Sequence, residues 1–214
     1  MTNRLSVFQL DVLHAFFRNE TRFFLTGDAA LAAFHLQHRT TQDLDLLTAT
    51  NHLKEGDAAL TRAADEVGAT VENLQTSPEF LRRLVRRGEE SVVVDLVHDR
   101  TPQVVANKLR LGDILVDSPE EILANKLCAL LSRAEIRDLV DVRALEAAGY
   151  AVETALPLAM RKDGGLTSAQ LGWVLSQIEI PSDAEVPGGV APSELIQYLA
   201  DLQGRLARLA FPDA

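Results

Sequence analysis

The chain has 214 residues, 47% hydrophobic and 24% charged, the balance of a globular protein rather than of a disordered or fibrous one. Its 21 Lys and Arg stand against 31 Asp and Glu, a net charge of −10, which excludes a surface that coats duplex nucleic acid as a whole but leaves room for a local basic patch. One cysteine excludes a disulfide framework and a cysteine-based zinc site, every apolar run is broken by charge within about 12 residues, too short to span a membrane, and the start MTNRLSVFQLDVL lacks the basic lead and unbroken apolar core of a signal peptide, so the expectation is a soluble, cytoplasmic protein.

Residues 4–17 place Leu5, Phe8, Val12, Leu13, Phe16 and Phe17 at helical spacing, so the chain opens on an amphipathic helix. Phe23-Phe24-Leu25-Thr26 reads as a short buried strand ending at Gly27. Asp28 then caps a helix from Ala29 to about residue 37, built of strong helix formers. Asp43-Leu44-Asp45-Leu46-Leu47 alternates acid and leucine with the period of a strand. Residues 57–67 read as a helix stopped by Gly68, and Val71 to Leu74 as a strand. Residues 80–97 read as a hairpin turning near Gly88. Its second arm, Val92-Val93-Val94-Asp95-Leu96-Val97, is apolar on both faces, as a central strand is; its first arm has apolar pairs every four residues, so a helix competes with a strand there. From Ser118 the character turns helical. Ser118-Pro119-Glu120-Glu121 combines a capping Ser, a Pro at the first helical position and a Glu three residues after the cap. Helices over residues 134–148, 167–178 and 193–209 follow, the last two separated by a loop holding Pro181, Pro187, Gly188, Gly189 and Pro192. The layout predicts a mixed α/β domain over residues 1–117 and a helical domain over 118–214 packed against it.

Several residues in this layout carry chemistry. Positions two apart on a strand face the same way, so Asp43 and Asp45 project together while Leu44 and Leu46 face the other side. Two carboxylates that close repel unless a cation sits between them, and hard oxygen ligands suit Mg²⁺ or Mn²⁺; the plain alternative is an exposed strand end. Asp95, inside an apolar strand, is costly if ionised and unpaired. Its partner is either an arginine or a metal shared with Asp43 and Asp45. Lys126 falls on the apolar face of its helix between Ile122 and Leu130, and either snorkels to solvent or reaches an anion in a cleft. Arg137 and Asp141, four apart, read as a surface pair with Asp138 on the same side. Arg82, Arg83, Arg86 and Arg87 are either a local field for RNA or a solvated hairpin balanced by Glu89 and Glu90. The histidines lack metal-ligand spacing: His14 and His35 read as helix-packing residues. Cys128 reads as an inert buried thiol and Trp173 as a packing residue of the C-terminal helices.

Phe24-Leu25-Thr26-Gly27-Asp28-Ala29-Ala30-Leu31-Ala32-Ala33-Phe34, followed by His38-Arg39-x-Thr41-x-Asp43-Leu44-Asp45, resembles the first motif of the AbiEii/AbiGii-type nucleotidyltransferase toxins. Glu121-Ile122-Leu123-Ala124-Asn125-Lys126-Leu127-x-Ala129-Leu130-x-x-Arg133-x-x-x-Arg137-Asp138-x-x-Asp141 resembles that family's downstream motif, in the same order and at matching spacing. The resemblance implies an α+β, polymerase-β-like nucleotidyltransferase fold, a mixed sheet flanked by helices and followed by a C-terminal helical part. It implies that Asp43, Asp45 and Asp95 hold Mg²⁺ or Mn²⁺. Thr26, Gly27, Asp28 and Arg39, with Lys126 and Arg137, would form the nucleotide side, the turn at Gly27 approaching the phosphates. Asp138, with Arg137 and Asp141, would support the site or assist proton transfer. The implied substrate is an NTP, the acceptor a hydroxyl of RNA, and the partner an antitoxin protein, with no membrane role.

The chain departs from that pattern at Asp28, where the family has Gly or Ser. As a cap, Asp28 would occupy the helix N–H donors and add negative charge beside a triphosphate. It would then weaken nucleotide binding, be neutralised by the metal, or mark a catalytically silent chain that binds without turnover. A helical interaction module on an α/β scaffold is the third reading.

Overall fold

The computed structural model describes residues 5–212; the first four residues of the start read for a targeting signal, the last of which opens the expected first helix, lie outside the described residues. The chain divides into two units. The first runs to Thr101 and resumes over Val105–Ser118; the second joins Pro102–Val104 to the chain from Pro119 onward.

In the first unit, helix α1 (Val7–Asn19) starts on a reciprocal cap: Ser6 Oγ accepts from the Gln9 N–H, and Gln9 Oε1 accepts from the Ser6 N–H. Strand β1 (Phe24–Thr26) leads into a short helix α2 (Gly27–Ala30) that gives way to a π-helical turn, Leu31–His35. Strand β2 (Asp43–Thr48), helix α3 (Leu53–Glu66) and strands β3 (Thr70–Ser77), β4 (Phe80–Arg87) and β5 (Glu90–His98) follow. A small hairpin of β6 (Leu109–Leu111) and β7 (Ile114–Val116), absent from the sequence reading, completes a seven-stranded sheet in the order β3-β4-β5-β2-β1-β7-β6. The sheet is mixed: β2 runs parallel to β5 and β1 parallel to β7, the remaining pairs antiparallel. The 80–87 segment is a strand because β5 pairs with it along its whole length, a tertiary gain that outweighs its helix-like spacing.

Alternation decides the two faces of the sheet. Leu44, Leu46, Leu81, Val85, Val92, Val94 and Leu96 are buried on one side, where α1 and α3 pack. Each such side chain contributes about 1.5–3 kcal/mol relative to full exposure. Phe16 stands edge-on to Phe17 and Phe23, and Gly56 of α3 lies against the Phe23 ring, where a Cβ would come within 2.6 Å of Cζ. Asp43, Asp45 and Asp95 occupy the other face.

The second unit is helical: α4 (Pro119–Arg133), α5 (Ile136–Ala147), α6 (Val152–Lys162), α7 (Ser168–Leu175) and α8 (Pro192–Ala210). Helix α6 is not among the expected helices, and it carries Pro157 in its interior. Its buried Val152, Ala155, Leu156 and Ala159 pay for the missing backbone hydrogen bond. Helix α8 turns Leu195, Leu199, Leu202 and Leu206 inward at spacings of four and three. On α7 the inward residues are Leu171 and Leu175. Trp173 lies between them on the opposite side and is 65% exposed, so it is not the packing residue the sequence suggested. Lys162 of α6 forms a buried ion pair with Glu121 of α4 and also donates to the Pro102 carbonyl at 2.8 Å. These bonds attach Pro102–Val104 to the helical unit.

Candidate active site

The register of the sheet assembles a row of side chains on the open face. Arg82 of β4 pairs with Asp95 of β5, Asp95 with Asp45 of β2, and Asp45 with Thr26 of β1. Asp43 sits two residues before Asp45 and shares its direction. Three acids distant in the chain are thereby neighbours. The buried Asp95 carboxylate is held bidentately by Arg82, Nε to Oδ1 at 2.8 Å and Nη2 to Oδ2 at 2.7 Å, the strong fork geometry of a guanidinium on a carboxylate. Of the two partners left open by the sequence, the structure has the arginine. The hydrogen bond to Asp95 raises the Arg82 pKa against the opposing effect of burial, and the charges of Asp95, Asp43 and Asp45 add to it. One signal in the sequence pointed to this pair: Arg82 and Asp95 each lie five residues beyond the Arg87–Glu90 pair that closes the Gly88-Glu89 turn.

That pairing also dissolves the four-arginine patch. Arg82 binds Asp95, Arg83 faces the other way onto Asp57, and Arg87 binds Asp11 and Glu90 with its guanidinium 4.6 Å from the centre of the Phe8 ring. Strand alternation splits the run between two faces, so it does not present one basic surface.

Next to Asp45 the chain makes a close backbone approach. Gly27 has φ +62°, in the left-handed region, and a Cβ there would lie 2.7 Å from Asp45 Oδ2. Both conformation and space therefore demand glycine. The Thr26 hydroxyl is buried and has no hydrogen-bond partner among the described residues, a state that calls for a missing ligand or water. Asp28 is not the helix cap. Thr26 stands at that position, and Asp28 lies in the first turn with its carboxylate 2.7 Å from Arg39 Nη2. Arg39 and Asp28 are both largely buried, so the departure from the family pattern is charge-balanced within the same unit. Three same-facing carboxylates and the Thr26 hydroxyl are hard-oxygen donors of the kind that divalent cations take, with Asp95 engaged by Arg82 in this structure.

The second unit holds a separate buried cluster. Lys126 Nζ lies 2.8 Å from Asp138 and 2.6 Å from Asp141, all three nearly inaccessible, so the lysine reaches carboxylates and does not snorkel. Arg133 adds a fork onto Asp138, at 2.7 and 2.9 Å. Burial pushes the Asp138 pKa up, but the Arg133 hydrogen bond and the Lys126 charge outweigh it and hold the carboxyl below its usual range. The expected Arg137–Asp141 surface pair does not form: Asp141 is committed to Lys126, and Arg137 reaches Glu135 at 2.5 Å. His14 is 46% exposed and pairs with Asp113, and His35 Nε2 meets the Asp117 carbonyl at 2.8 Å; both make polar contacts in place of simple packing. Burial pushes the Cys128 thiol up to about 11, as suits an unreactive side chain.

The site is thus a mixed sheet whose parallel β2 and β5 set three acids side by side next to the Gly27 turn. The sequence matches the family of nucleotidyl transferase AbiEii toxins of type IV toxin–antitoxin systems over residues 12–193, and the chain belongs to that family. Among solved structures it is similar to JHP933 from Helicobacter pylori, at 20% identity over 95% of this chain and 94% of that one with a TM-score of 0.60. It is also similar to MenT4, a nucleotidyltransferase toxin from Mycobacterium tuberculosis, at 17% identity over 97% and 83% of the two chains with a TM-score of 0.62. At these identities the likeness establishes the shared fold. No curated protein matches the sequence.

Proposed function

We propose that this chain transfers a nucleotidyl group from an NTP to a hydroxyl of an RNA acceptor, with Asp43, Asp45 and Asp95 as ligands for Mg²⁺ or Mn²⁺. The register that sets Asp95 beside Asp45, on the face that also carries Asp43, is the observation that supports it. Divalent ions bound by these acids would supply an activated acceptor oxygen and charge for the leaving pyrophosphate.

The protein's own contribution is positioning, which is most of what phosphoryl-type transfer asks of it. Six consecutive residue pairs between β2 and β5 keep the acids aligned. Gly27 leaves the volume that the Asp45 carboxylate fills. The Thr26 hydroxyl has a hydrogen bond to give and lone pairs to offer. Arg39 pairs with Asp28, which supports nucleotide binding in spite of the acid at that position. In the second unit Asp138, kept ionised by Arg133 and Lys126, is a poor proton acceptor and suits a supporting role. The resemblance assigns Lys126 and Arg137 to the nucleotide, and in this structure Lys126 holds Asp138 and Asp141 while Arg137 holds Glu135. Family membership supports an antitoxin as the protein partner, and NTP and RNA as substrates make the cytoplasm the site of action.

The test is incubation of the purified protein with labelled NTPs, Mn²⁺ or Mg²⁺ and total RNA. The wild type is expected to label RNA, and Asp43→Ala/Asp45→Ala to lose at least about 1000-fold in rate, or about 4 kcal/mol of transition-state stabilisation. Label transfer that persists in the double variant overturns the assignment. Metal and NTP binding without product would support the silent reading.

A further inference from the structure

Arg82 and Arg83 are consecutive residues of β4 with opposite fates. Arg83 is 7% exposed and donates to Asp57 at 2.8 and 3.0 Å and to Asn73 Oδ1 and the Gln75 carbonyl at 2.9 Å. Its bonds run to α3 and β3, so it is a fixed strut. Arg82 has 42% of its side chain exposed. Its guanidinium lies 5.5 Å from the centre of the Phe80 ring, an alternative resting place for the charge. Both of its bonds to Asp95 use the oxygens through which that carboxylate would bind a cation, one guanidinium nitrogen on each. A buried carboxylate needs a counter-charge at all times. In the arrangement seen, that charge is Arg82.

We propose that Arg82 is a positioning residue for Asp95, neutralising and aligning the carboxylate in the metal-free protein and giving it up when a divalent cation binds. This rests on the reading of Asp95 as a metal ligand. The guanidinium and the ion compete for the same two oxygens, so Arg82 lowers the apparent affinity for metal while keeping a buried ligand ionised and in place. Leaving Asp95 costs Arg82 little, because a partly exposed guanidinium regains water and keeps the Phe80 ring face. Arg83, with its partners on the opposite face of the strand, cannot substitute for it.

The experiment titrates Mn²⁺ alone into the full-length wild type, Arg82→Gln, Arg82→Lys and Asp95→Asn, following free Mn²⁺ by electron paramagnetic resonance, with melting curves in EDTA and in Mn²⁺. Arg82→Gln is expected to bind Mn²⁺ about tenfold more tightly than the wild type, and Asp95→Asn more weakly. In EDTA, Arg82→Gln melts below the wild type, Mn²⁺ closes that gap, and the gap is absent in the Asp95→Asn background. Arg82→Lys keeps a charge but loses the fork. It binds Mn²⁺ more tightly than the wild type by a smaller factor, and it carries the comparison if Arg82→Gln fails to fold. Wild-type Mn²⁺ binding that neither Arg82 variant strengthens overturns the role of Arg82 and leaves the metal reading standing. Absence of Mn²⁺ binding from the wild type and both variants overturns the two together.

Discussion

The acids of the sheet and the acids of α4 and α5 are both clustered, yet they differ in burial and in balance: Asp138 and Asp141 are fully buried, and of the sheet acids only Asp95 is buried. On the sheet, Asp43, Asp45 and Asp95 share a face with Arg82, whose side chain is partly exposed. In the helical unit, Asp138 and Asp141 close on Lys126, and Arg133 completes the hold on Asp138. The second cluster carries neutralising charge from within its own unit. In the first, the buried Asp95 is held by Arg82, whose side chain is 42% exposed. Charged residues of the same type are thus enclosed with a buried lysine in one unit and held by a partly exposed arginine in the other.

Removing a cation from the helical cluster should have the largest effect on folding. Lys126→Met leaves Asp138 and Asp141 buried without their shared partner and is expected to destabilise the protein by about 3–5 kcal/mol in denaturant unfolding; adding Asp138→Asn and Asp141→Asn should recover part of it. A full loss of stability in that triple variant would deny that the cluster is an electrostatic unit. A smaller effect is expected at the second structural acid of the helical unit. Glu146 accepts from Tyr198 at 2.6 Å and from Arg205 at 2.5 and 2.8 Å. Burial pushes its pKa up, but the Arg205 and Tyr198 hydrogen bonds prevail and hold it below 4.5. Its folded value is depressed, so the stability it adds is complete above about pH 4.5 and is lost as pH falls through the folded value. Glu146→Gln should cost about 1.5–3 kcal/mol at pH 7, and the gap to wild type, followed by melting temperature, should narrow below pH 4.5. The smallest stability change falls on the sheet. Gly27→Ala costs about 1–2 kcal/mol in backbone conformation, and its Cβ would push aside Asp45 Oδ2, 2.7 Å away. Nucleotidyl transfer should fall far more than stability does, and adding Asp45→Ala should restore the part of the stability loss due to that contact. Equal losses in stability and activity would erase the distinction between the two clusters.

Much of the sheet was legible along the chain because β-structure writes its faces into alternate residues. Asp43-Leu44-Asp45-Leu46 announced an acidic face and an apolar one, and the strands bear this out with both leucines buried. The Gly88 turn placed the hairpin, and its register held the Arg82–Asp95 pair for anyone counting outward from the turn. What escaped were features whose partners lie far off in sequence or whose local signal was misleading. Asp28 reads as a cap until Arg39, eleven residues on, is seen against it. Trp173 looks like core because of its size, but Leu171 and Leu175 already fill the inward side of α7. The four arginines of β4 look like one patch until the pleat separates them.

The sequence by itself determined the periodicities: the helical tail, the acid-bearing strand, the glycine that ends β1, and the order of motifs that marks the family. Those are local, since a strand or helix repeats within a few residues and a left-handed turn needs only its glycine. Outside the β4–β5 hairpin, the tertiary structure alone decided which charges meet. Whether Asp95 faces Asp45, whether Lys126 finds water or two carboxylates, and whether Asp28 is a surplus charge or half of a pair depend on strand register and helix packing. Ion pairing is set by distances of a few ångströms between residues far apart in the chain, and no local pattern encodes them.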